Sequence, residues 1–136
     1  MKEIEKAVSL LSGATTLAIV KKDSVLTSNN NGISALFEYT KADALQGASI
    51  ADKIIGKAAA LLMVYGKAKQ VFGATLSKGA KKVFERYNIP YSYSILTDAI
   101  QNRANDGLCP MEIAVFDITE PKDAFLAVEN KLKELA

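Results

Sequence analysis

Residues 70–95 read QVFGATLSKGAKKVFERYNIPYSYSI. The apolar run 70–76 has the length of a strand. Residues 78–87 then turn to helical spacing, with Ala80, Val83, Phe84 and Tyr87 on one stripe. Pro90 ends the connection and introduces a second strand over 91–95. A strand, a crossover helix and a strand form a βαβ unit, so the two strands are expected to be parallel with a right-handed connection.

Working toward the N-terminus, residues 49–65 read SIADKIIGKAAALLMVY. Ser49 and Asp52 have capping-box spacing, and the stretch 50–65 is apolar almost all round. This predicts a central helix buried on most sides. Residues 33–48 read as one or two short helices in an irregular connection. Asn29-Asn30-Asn31-Gly32 is a turn signal, because Asn and Gly tolerate positive φ. Two short strands are expected at 16–21 and 24–28, joined through Lys22 and Asp23 as an antiparallel hairpin. Ile4, Ala7, Val8 and Leu11 give a first helix over 2–11 that Gly13 ends.

Toward the C-terminus, Pro110 opens a short helix to Phe116, where a missing N–H costs nothing. Thr119 is expected to cap a last helix with Phe125, Val128, Leu132 and Leu135 inward. The whole order predicts one α/β domain over residues 1–136, a three-layer α/β/α sandwich on a mixed four- or five-stranded sheet.

Composition narrows the function classes. The 136 residues hold 17 Lys and Arg against 15 Asp and Glu, for a net charge of +2. Arg86 and Arg103 are the only arginines, and nothing in that balance marks a nucleic-acid footprint. There is no histidine and a single cysteine, Cys109. An internal disulfide is therefore impossible, and the lone thiol points to a reducing compartment. The first residues, MKEIEK, are too charged for a signal peptide, and the longest apolar stretch, 58–65, is too short for a membrane span. A cytoplasmic chain with no membrane or nucleic-acid partner is the expectation.

The element order, together with two local motifs, resembles the cytidine deaminase-like fold. In that superfamily the helix after the first hairpin carries a His/Cys-x-Glu motif, and the next strand runs into Pro-Cys-x-x-Cys at a helix start. Here the helix expected over 50–65 contains Asp52-Lys53-Ile54-Ile55-Gly56-Lys57-Ala58-Ala59-Ala60, and the strand end Ala74-Thr75-Leu76-Ser77 passes into Lys78-Gly79-Ala80-Lys81. Every zinc ligand is replaced. Within that fold the chain looks like a small prokaryotic family of unknown function, marked by the Asp52–Ala60 motif and by Asn102-Arg103 with Cys109-Pro110-Met111-Glu112. The resemblance implies a fold and no activity. Zinc needs three or four His, Cys or carboxylate ligands, so a zinc-dependent deaminase is not expected, and neither a metal nor a cofactor is assigned.

The candidate site residues follow from charge and position. Lys53 and Lys57, one helical turn apart in the expected helix, would share a face, and a buried ammonium needs an anion. Gly56 in mid-helix costs about 1 kcal/mol against alanine, so something should approach its backbone closely, by ligand contact or by packing. Cys109 lies at a helix N-cap, where amides stabilise a thiolate, and Glu112 three residues on could act as a base or return a capping bond. Asn102, Arg103 and Asp106 lie on the preceding loop, where arginine suits phosphate or carboxylate. Lys78, Lys81 and Lys82 read first as a solvated face.

The leading expectation is a metal-free chain that binds a small anionic, nucleotide-like ligand. Its contacts would be Asp52, Lys53, Gly56, Lys57, Asn102, Arg103 and Asp106. The alternatives are a zinc-independent enzyme using Cys109 or Lys57 with Glu112, and an assembly subunit with a vestigial pocket. A homo-oligomer stays open in each case.

Overall fold

A computed structural model describes residues 2–30, 32–101 and 107–136. Helix α1 spans Glu3–Ser9, strands β1 and β2 span Leu17–Lys21 and Ser24–Ser28, and α2 spans Ser34–Lys41. Strand β3 (Ser49–Ile55), helix α3 (Lys57–Tyr65), strand β4 (Gln70–Ser77), helix α4 (Lys78–Arg86) and strand β5 (Tyr91–Thr97) follow. Two helices, α5 (Pro110–Ala114) and α6 (Pro121–Leu135), end the chain.

The sheet is mixed and five-stranded, in the order β2-β1-β3-β4-β5. The hairpin β1–β2 is antiparallel, as the turn residues predict, and β1 also pairs antiparallel with β3. Strand β3 pairs parallel with β4, and β4 with β5, as expected of a βαβ unit. Alternate residues of β1 sort into two cores. Ala18 and Val20 pack with Ala7 of α1, while Leu17 and Ile19 pack with residues of α2, α3, α4, α5 and α6. Among the described residues, one helix therefore covers one face and five share the other.

The expected 50–65 helix is corrected. Its first half is the strand β3, and only Lys57–Tyr65 is helical. Ser49 is a buried strand residue and caps nothing. The physical reason is position in the sheet. Strand β3 lies between β1 and β4 with helices on both faces, so it loses the apolar–polar alternation that separates strands from buried helices. The helix that follows the hairpin is α2, so residues 52–60 span a strand-to-helix junction instead.

Two smaller expectations change at α6. Its N-cap is Glu120, with Pro121 in the first turn, in place of Thr119. Ala124 and Val128 are its buried residues, whereas Leu135 is 59% exposed. No helix of the described residues is long and apolar enough to cross a membrane.

The parallel strands share an irregularity that bears on the site. Ile50 and Ile55, Val71 and Leu76, and Tyr91 and Leu96 all face the five-helix side, although each pair is five residues apart. Strict alternation would put such pairs on opposite faces. Each strand therefore turns its side chains by one position midway, at the level of Lys53 in β3.

Candidate functional site

Gly56 is the joint between β3 and α3. It is the N-cap of α3 and has no side chain with which to satisfy the helix's first N–H groups. Glu112 of α5 does so from across the chain. Its carboxylate accepts from the Lys57 N–H through Oε1 at 2.8 Å and from the Ala58 N–H through Oε2 at 2.9 Å. A β-carbon on Gly56 would lie 2.5 Å from Glu112 Oε1 and 2.8 Å from Ile100 Cγ1. The close approach to Gly56 is therefore made by Glu112 and Ile100. Glu112 returns no capping bond to its own helix; its charge sits where the α3 dipole favours an anion.

The two lysines expected on one helical face diverge. Lys53, in β3, reaches the Gly13 carbonyl at 2.8 Å, and Lys57 reaches the Phe116 carbonyl beyond α5 at 2.8 Å. Lys57 is half-buried, so its ammonium is not the sealed cation that the expected helix implied. No ion pair holds it among the described residues. Lys57→Met should therefore cost about 1 kcal/mol or less, the scale of one partly solvated hydrogen bond, and not the roughly 3 kcal/mol of a broken buried ion pair. Urea unfolding of the variant measures this. A loss near the larger figure would show that Lys57 carries more of the fold than its one contact accounts for.

Beside this junction lies a cleft of about 1150 Å³. It opens at the carboxyl ends of β3 and β5, where open α/β sheets place ligands. Ile33 and Leu36 before and within α2, Ala58 and Ala59 of α3, Met111 of α5 and Leu132 of α6 give it apolar walls. Asp52, Lys53, Gly56, Cys109 and Glu112 also line it, together with Thr16, Thr97 and Gln101, which sequence reasoning did not single out. Those three come from strand and loop ends that only the sheet order brings together.

Asp52 is the perturbed group of the cleft. Burial pushes its carboxyl from 3.8 up to about 7, against the opposing effect of N–H groups at Ile54 and Lys53. Its Oδ1 accepts from the Ile54 N–H at 3.3 Å, at the level where the strand turns its side chains over. Part of its role is thus to satisfy irregular backbone. A carboxyl that is about half protonated near neutral pH can also donate or accept toward a ligand.

Cys109 is the N-cap residue of α5, as expected, and is half-buried; it makes no side-chain capping bond. Asn102, Arg103 and Asp106 lie outside the described residues. Among the described residues, no three His, Cys, Asp or Glu side chains gather to hold a metal ion.

Comparison with known proteins agrees with this picture of a fold without an assigned chemistry. No curated protein matches the chain. The crystal structure of a DUF1893 family protein (TM1506) from Thermotoga maritima superposes with a TM-score of 0.80 at 26% identity, covering 86% of this chain and 80% of that one. The model of the family described as a domain of unknown function (DUF1893) matches residues 6–132. Matched over nearly its whole length, the chain belongs to the DUF1893 family.

Proposed function

We propose that the chain binds a small, flat, hydrogen-bonding molecule of nucleobase type in the cleft at the ends of β3 and β5. The observation that carries this reading is Asp52, a carboxyl with its pKa near 7 on the wall of a largely apolar cleft. Small-molecule sites combine such walls with a few convergent polar groups. A heterocycle edge offers N–H and C=O or ring nitrogen side by side, and a carboxyl able to hold or release its proton complements either. The sequence resemblance to the deaminase superfamily favours the same ligand class, because members of that superfamily handle bases.

The anionic part of the expected ligand finds less support in this cleft. Lys53 and Lys57 are turned onto carbonyls, and the α3 N-terminus already holds the Glu112 carboxylate. The proposal therefore concerns the base-like portion of a nucleotide-like molecule. The test is a panel of nucleobases, nucleosides and nucleoside monophosphates, read by thermal melting and by alkylation of Cys109, which shares the cleft. Bases or nucleosides should raise the melting temperature and slow alkylation. Asp52→Asn should weaken the binding about tenfold, the scale of one hydrogen bond to a charged group. A panel in which no member shifts melting or protects the thiol removes this reading and leaves the assembly-subunit alternative ahead.

A second reading, a metal-independent enzyme, rests on the same carboxyl. General acid–base chemistry needs a group whose pKa lies near the working pH, and Asp52 meets that condition. This reading assigns the proton transfer to Asp52 in preference to Cys109 or Lys57. Turnover of a bound panel member that Asp52→Asn abolishes, with binding retained, would separate catalysis from simple binding.

A further inference from the structure

A second cavity lies on the other side of Glu112, between α4 and the segment joining α5 to α6. It has a volume of about 390 Å³, within the range of small-ligand pockets. Leu61, Val83 and Ile118 line it with apolar surface, and Lys57, Lys82 and Arg86 bring three cations to it. Lys82 and Arg86 are one turn apart on α4, so both project along the same side. The acids that line the cavity already have partners. Asp98 is engaged by Lys78 at 2.8 Å, and Glu112 by the N–H groups of Lys57 and Ala58. Among the described residues Lys82 makes no ion pair, and Arg86 meets Glu120 only at 3.9 Å between exposed side chains.

We propose that this cavity binds an organic anion, with an oxyanion head between Lys82 and Arg86 and an apolar body against Leu61, Val83 and Ile118. A solvated lysine face accounts for Lys78, which has its own partner in Asp98. Lys82, with no ion pair among the described residues, and Arg86, which meets Glu120 at 3.9 Å and lies over the Tyr87 ring at 5.6 Å, border an apolar concavity instead. A phosphate or carboxylate would give Lys82 a counter-charge and compete with the long Glu120 contact for Arg86, which can hold it with two parallel N–H donors. The apolar floor adds a demand that a free inorganic ion cannot meet, so the head must carry a hydrocarbon or aromatic group. Thr119 lines the same wall, where its backbone carbonyl accepts from the Tyr87 hydroxyl at 2.8 Å.

The experiment is an amide-resolved NMR titration with phenyl phosphate, alongside inorganic phosphate and benzyl alcohol. Phenyl phosphate should give saturable shifts centred on Gly79, Val83, Ile118 and Thr119, and should bind more tightly than either half alone. Lys82→Glu and Arg86→Glu alter exposed side chains and should leave the fold intact. Each should weaken phenyl phosphate at least about tenfold, whereas Lys133→Glu, the same charge change at an exposed position of α6, should not. Asp52→Asn should also leave it unchanged, so that failure of the cleft reading and failure of this one are told apart. Shifts scattered over the surface, or equal loss in the Lys133 control, would overturn the site, as would inorganic phosphate binding as well as phenyl phosphate.

Discussion

Gly56→Ala is expected to destabilise the chain by about 3 kcal/mol, the sum of a local overpacking cost and the displacement of a charged cap. The added β-carbon would meet Glu112 Oε1 at 2.5 Å, Glu112 Cδ at 2.7 Å and Ile100 Cγ1 at 2.8 Å. Backbone conformation is not the obstacle, since φ −99° and ψ −175° suit any residue. Glu112 must instead withdraw from the Lys57 and Ala58 N–H groups, leaving two donors of α3 unsatisfied at a half-buried helix end. Glu112→Ala removes the same two bonds and should cost about 2 kcal/mol. Because both changes break one arrangement, the double variant should cost clearly less than the two single losses added together. The truncated side chain leaves room for the new methyl group. Denaturant melts of the three variants measure the cycle. Strict additivity, or a Gly56→Ala variant as stable as the parent, would show that the junction does not depend on this contact.

The second large effect is a pH dependence that Asp52→Asn should erase. In the unfolded chain the carboxyl titrates near 3.8, and in the folded chain near 7. Between those values the folded state holds a proton that the unfolded state has released. Stability contributed through Asp52 is therefore full below about pH 4, falls as pH rises to 7, and is flat above. Three pKa units set an upper bound of about 4 kcal/mol, and relaxation around a half-buried side chain brings the expected loss to about 2 kcal/mol. Asparagine keeps an oxygen for the Ile54 N–H and carries no proton to lose. Asp52→Asn should match the parent at pH 4 and exceed it by about 2 kcal/mol at pH 8. The difference between the two pH profiles isolates this group from ordinary surface carboxylates such as Asp98, which Lys78 holds below its usual range. Parallel profiles would mean that the carboxyl ionises without penalty, and the main support for the cleft reading would be gone.

The sequence by itself determined the local elements whose two sides differ. The hairpin over β1 and β2, the β4–α4–β5 unit and the short helix behind Pro110 were all legible. Each alternates apolar and polar residues or carries a turn or cap residue with one conformational meaning. Composition carried one expectation by itself, that a chain with no histidine and one cysteine is short of the ligands a deaminase zinc site uses. The mid-helix placement that made Gly56 stand out was not right, since it is the N-cap of α3 behind a strand; the close approach to it comes from that junction.

What the tertiary structure alone decided is everything that depends on burial from both sides. Residues 50–65 are apolar almost all round whether they form one buried helix or a central strand followed by a helix, and only the position of β3 between β1 and β4 separates the two. That choice carried Lys53 and Lys57 to different partners and gave Gly56 its place at a junction. It also put Asp52 where burial raises its pKa. Glu112 and the α3 N-terminus lie more than fifty residues apart, so no local pattern could reveal their contact. Periodicity reports which side of an element meets water; where neither side does, the fold must say what the neighbours are.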